Sequence, residues 1–103
     1  LAISETFMNL STSLRTRSLA FYETLLATIP ARTVSDRTCY RRIAAWLSEE
    51  VERGRFDEAV FQIALGFATE ARQPHVRNPA AVFVSILKKE LGYEPGVHHR
   101  TNP

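Results

Sequence analysis

Apolar residues recur along most of this chain at the three-, four- and seven-residue intervals of helices laid on a common interior, and nowhere over a useful length do they alternate as a strand requires. From Ser4 to Ile29 the stripe is Phe7, Leu10, Leu14, Phe21, Leu25 and Ile29, and Pro30 ends it. Ser11, Thr12 and Ser13 interrupt the good helix formers, because their hydroxyls compete for backbone hydrogen bonds. The segment therefore reads as one long helix or as two joined there. A second helix is expected to begin after Thr33 or Ser35, either of which can cap, with Asp36 three residues beyond Thr33 as in a capping box. Its inward stripe reads Cys39, Ile43, Trp46, Leu47 and Val51, with Tyr40 on the flank and Gly54 as terminator.

Asp57 is the expected cap of a third helix running to about Arg72, ahead of Pro74. Val60, Phe61, Ile63, Ala64, Leu65, Phe67, Ala68 and Ala71 cover nearly its whole circumference, the pattern of a helix buried centrally or shared with a partner. Gly66 within it would let another helix come close. The fourth helix is bounded by Asn78 as cap, Pro79 at the first helical position, Lys88 and Lys89 in the last turn and Gly92 just beyond. Val82, Phe83, Ile86, Leu87 and Leu91 are its inner face, with Tyr93 folding back on Leu87. The expected fold is all-α, a compact bundle of four main helices with the third in the middle, forming a single domain over residues 1–93. Residues 94–103, from Glu94 onward, have turn residues and no periodicity, as in a mobile tail or the stump of a longer chain.

Composition narrows the function more than the fold. The chain has 103 residues, 45% of them hydrophobic, enough for one core and too few for a second domain. Cys39 is its only cysteine, so no intrachain disulfide forms and a cytoplasmic setting is the simpler expectation. It holds no apolar run near the roughly 18 residues of a membrane span and no charged-then-apolar stretch with a small-residue cleavage site, so neither membrane spanning nor secretion is expected. It begins at Leu1 without methionine, as a fragment or processed chain would. The formal charge of +2 is too small for a general polyanion binder, which makes its distribution the informative quantity. Eleven of the thirteen basic residues are arginine, whose planar fork suits phosphates and guanine edges. A GC-rich genome favours arginine codons equally well.

Three of those arginines, Arg37, Arg41 and Arg42, stand toward the start of the second helix, where the macrodipole disfavours cations, and Glu49, Glu50 and Glu52 crowd its equally disfavoured end. An arginine cluster beside helix N–H groups is what a phosphate surface requires. The stretch TVSDRTCYRRIAAWL, residues 33–47, resembles the second half of a helix-turn-helix signature. That resemblance implies that Ser35, Arg37, Thr38, Arg41 and Arg42 touch duplex DNA while Cys39, Ile43, Trp46 and Leu47 hold the helix to the core. The first half departs from the pattern, with Ile29 where a small residue is usual, Pro30 in the turn and Thr33 in place of glycine. An ordinary amphipathic helix with a solvated basic face would show the same residues.

GRFDEAV, residues 54–60, resembles the turn of a tetratricopeptide repeat, with Phe56 beneath it and Ala59 allowing close approach. With no second copy at the period of about 34 residues, it implies only a helical hairpin of the second and third helices. NPAAVFVSILKKELGY, residues 78–93, is similar to the closing helix of some bacterial replication and regulatory proteins. His75, His98 and His99 with Cys39 lack metal-site spacing, and no cofactor or catalytic motif is present. Successive helical positions splay Glu49, Glu50 and Glu52 outward, so no catalysis is expected. The reading is a DNA-binding domain of a bacterial-type transcription or replication regulator. The alternative is a protein-interaction or homodimerisation module presenting Phe61 and Leu65 of the third helix.

Overall fold

The computed structural model describes residues 2–94, with side chains from Leu14 onward. The side chains of Phe7 and Leu10 therefore lie outside what is described, as do His98, His99 and the tail beyond Glu94. The described chain is all-α: α1 (Ala2–Thr28), α2 (Val34–Glu52), α3 (Val60–Ala71) and α4 (Pro79–Leu91). No strand occurs among these residues. Helix α1 continues unbroken through Ser11–Ser13, so cooperative helix propagation outweighs the local competition of the hydroxyls.

The capping residues explain where the other helices begin and end. Thr33 adopts an extended conformation and its Oγ1 accepts from the Asp36 N–H at 3.0 Å. The Asp36 carboxylate reaches past the cap to accept from the Arg32 N–H at 2.9 Å. At the other end of α2, Gly54 takes a φ of +79°. Its N–H donates to the Val51 carbonyl at 3.0 Å and the Arg55 N–H to the Glu50 carbonyl at 2.9 Å, the paired bonds of a Schellman motif. Asp57 does cap, but it accepts from the Ala59 N–H at 2.8 Å and opens a short turn that leads into α3 at Val60. Asn78 Oδ1 accepts from the Ala81 N–H at 3.2 Å with Pro79 at the first position, as expected. At the end of α4, beyond the left-handed Gly92, the Tyr93 N–H donates to the Leu87 carbonyl at 3.2 Å.

Helix α1 packs against both α2 and α3, and α3 against α4. Ser18 Oγ donates to the Ala44 carbonyl at 3.4 Å while Tyr22, one turn later in α1, meets Arg41, one turn earlier in α2. Opposed progression of that kind makes α1 and α2 an antiparallel hairpin. The hairpin expected of α2 and α3 is not formed, because each uses its apolar face on α1 instead, and Ala59 is exposed. Arg17 Nε pairs with Glu58 at 2.7 Å, binding α1 to the turn before α3. Arg32 spans the opposite end, its guanidinium donating to the Arg77 carbonyl at 2.6 Å and so joining the α1–α2 connection to the segment that precedes α4.

Phe21, Leu25, Tyr40, Ile43, Leu47, Phe83 and Leu87 form the fully sequestered centre. The α2 stripe is turned by about one residue from the expected one. Tyr40 and Ala44 are buried, whereas Cys39, Trp46 and Val51 are only half-buried, since α1 approaches from the Tyr40 side. In α3 the buried line is Val60, Phe61, Ala64, Ala68 and Ala71, and it is the three alanines that allow close packing. Gly66 is exposed, with open space where a Cβ would stand, so it admits no neighbour. Nor is α3 buried all round: Ile63 is 48% exposed, and Leu65 and Phe67 are half-buried. No described helix is long and apolar enough to cross a membrane.

Candidate nucleic-acid interface

The amphipathic frame decides where the arginines of α2 can point. With Tyr40, Ile43, Ala44 and Leu47 turned inward, Arg37, Arg41 and Arg42 are left exposed. Consecutive helical residues differ by about 100° in direction, so Arg41 and Arg42 leave the helix on opposite flanks of its outer face, and Arg37, one turn before Arg41, shares its side. Arg41 lies over the ring of Tyr22 in α1, its Cζ 5.8 Å from the centroid, a cation–π contact that braces the guanidinium without covering it. Arg42 instead borders a hollow of about 300 Å³ with Val34, Ser35, Thr38, Cys39 and Tyr93. The five residues expected to touch DNA thus fall into two adjoining groups: Arg37 and Arg41 beside α1, and Ser35, Thr38 and Arg42 at the hollow.

Ion pairing separates these arginines from several others. Arg17 holds Glu58, and Arg53 and Arg55 hold the buried carboxylate of Glu50 at 3.5 and 2.9 Å. Among the described residues Arg37, Arg41 and Arg42 hold no carboxylate. The mismatch with the macrodipole is also smaller than the bare order of charges implies. Arg41 and Arg42 lie beyond the first turn, where the field has decayed, and Asp36 supplies the favourable charge at the helix start. At the far end, Glu50 is matched by Arg53 and Arg55. At the helix start the Asp36 N–H is taken by the Thr33 hydroxyl and the Asp36 carboxylate stands there as well, so anion contact falls to the side chains along the body of α2.

Titration at the hollow is governed by burial. Burial raises the Cys39 thiol above its ordinary range, with Asp36 adding to the effect and Arg42 and Lys88 opposing it, so the sulfur remains a neutral thiol at pH 7. Burial likewise raises Tyr93, with Cys39 adding and Arg42 opposing. Sequence patterning missed Tyr93 at this place, because its contact is made by the chain after α4 returning to α2. The ring stacks edge-on against Trp46 at 5.0 Å rather than merely closing over Leu87, and Phe56 meets Trp46 at 5.7 Å.

The residues expected to carry a partner interface are placed differently. Phe61 is 4% exposed and packs on Phe21 with centroids 5.7 Å apart, so it belongs to the core and offers no docking surface. Leu65 is half-buried against that core. The large apolar side chains that do face outward among the described residues are Leu19, Val34 and Ile63, scattered over three helices. No group of three or more metal-ligating side chains gathers among the described residues. No family model, curated protein or solved structure matches the chain.

Proposed function

We propose that the domain binds duplex DNA through the outer face of α2, as a module of a transcription or replication regulator. The observation that supports this reading is that Arg37, Arg41 and Arg42 gather on one helix, exposed and holding no carboxylate of the described fold, whereas Arg17, Arg53 and Arg55 are paired within it and the other exposed unpaired arginines, Arg15, Arg72 and Arg77, stand on other segments. Arginines free of internal partners retain their full charge for phosphates, and counterions released from the duplex drive the association. Arg41 or Thr38 would supply any base contact. Because α1 and α2 run side by side, the duplex would meet α2 as the outer arm of a hairpin.

Three phosphate contacts give a salt slope of about −2.7, a loss of roughly fortyfold in affinity between about 50 and 200 mM salt. Fluorescence anisotropy with random-sequence duplex at those two concentrations measures it. Exchanging Arg37→Glu together with Arg41→Glu is expected to abolish binding while leaving helicity and melting nearly unchanged. Equal affinity in that variant would eliminate the reading. A complex indifferent to salt would point instead to an apolar interface.

A further inference from the structure

We infer that both arms of the α1–α2 hairpin share the duplex contact, with Arg15 of α1 as a further phosphate-binding residue in line with Arg41 and Arg37; the inference rests on the reading above. Arg15 precedes Tyr22 by seven residues, two turns of helix, and so leaves α1 on the same flank. That flank is turned toward α2. Tyr22 lies beneath Arg41, and Ser18, between Arg15 and Tyr22 on the same line, donates to the Ala44 carbonyl. Continuing this antiparallel register brings Arg15 level with Ser48. The two arginines of α1 therefore part company: Arg17 leaves on the other side and is taken by Glu58 ahead of α3. Arg15 is exposed and holds no carboxylate among the described residues.

The spacing of the row suits a phosphate backbone. Arg37 and Arg41 are one turn apart on α2, about 6 Å, and Tyr22 and Arg15 two turns apart on α1, about 10 Å. End to end the row runs about 16 Å along the hairpin, roughly half a turn of duplex. Ser18, Tyr22, Ala45 and Ser48 stand between its members, so no carboxylate interrupts it. Glu23 follows Tyr22 but is turned about 100° from it around α1. Asp36, beside Arg37, is held by the Arg32 N–H. Glu49 and Glu52 come after Ser48 and bound the row at the end of α2.

Anisotropy titrations of Arg15→Gln with random-sequence duplex, set beside those of the parent chain, test the row. Loss of one phosphate contact is expected to make the salt slope shallower by about 0.9, so that the fall in affinity between about 50 and 200 mM salt shrinks about 3.5-fold. Affinity should weaken alike for every duplex sequence, with helicity and melting unchanged. Arg15→Lys keeps the charge and should restore the parent slope. Arg72→Gln, just past the end of α3, should leave both slope and affinity as they were. A parent slope retained in Arg15→Gln, or an equal loss in Arg72→Gln, would overturn the inference and leave the DNA reading standing. A parent chain with no affinity for duplex would overturn both.

Discussion

Tyr40 is fully buried, and its hydroxyl has no hydrogen-bond partner among the described residues. A sequestered donor without an acceptor costs about 1–3 kcal/mol, so Tyr40→Phe should stabilise the domain. A gain of about 1 kcal/mol corresponds to a rise of roughly 4–8 °C in Tm for a chain of this size, measurable by thermal melting followed by circular dichroism. A fall in Tm would show that the hydroxyl has an acceptor after all. The same burial raises the phenol from its ordinary value of 10.0 to about 12, with Asp36 and Cys39 adding to the effect and Arg32 opposing it. In the unfolded chain Tyr40 ionises near pH 10, whereas in the folded chain it keeps its proton until about pH 12. Its contribution is therefore complete below pH 10 and is lost as the pH climbs toward 12. Urea unfolding monitored by Trp46 emission should show stability falling across that interval, less steeply in Tyr40→Phe. An identical slope in the variant would assign the alkaline loss to other groups.

At the scale of the helices, two glycines give opposite expectations for one substitution. Gly54 holds a left-handed φ of +79° that closes α2, so Gly54→Ala should cost about 1 kcal/mol even though open space surrounds the site. Gly66 lies within α3 with nothing near its missing Cβ, and Gly66→Ala should gain up to about 1 kcal/mol from helix propensity. Chemical denaturation of both variants tests the pair, and a destabilising Gly66→Ala would reveal a neighbour. Both outcomes illustrate what a sequence can disclose. Thr33, Gly54, Asn78, Pro79 and Gly92 announced their helix ends because capping is a contest among residues three or four positions apart. The role of Gly66, the one-residue turn of the α2 stripe and the burial of Phe61 were illegible, since each depends on which helix arrives from elsewhere. The same distinction applies to the candidate interface. Exposure of Arg37, Arg41 and Arg42 followed from amphipathic spacing, but the division of that cluster by Tyr22 on one flank and Tyr93 on the other required the tertiary fold.

Across the whole molecule α1 is the common support, since α2 packs on one part of it and α3 on another, with α4 held through α3. Phe21 stands where those packings meet, 2% exposed and stacked on Phe61. Truncation to alanine there should cost about 3–5 kcal/mol, a large share of the stability of a domain this small. It should loosen all four helices together rather than α1 alone. Amide hydrogen exchange in Phe21→Ala is expected to show comparable loss of protection in α2 and α4, and selective loss confined to α1 would contradict a single cooperative unit. The turn that closes α2 behaves differently from that interior. Where such turns are usually sealed by an apolar contact, this one is fastened by Arg55 on Glu50, with Arg53 beside it. Electrolyte weakens that clasp through screening and leaves the oily packing of Phe21 and Phe61 untouched. In brine, then, the molecule would begin to fray where α2 ends.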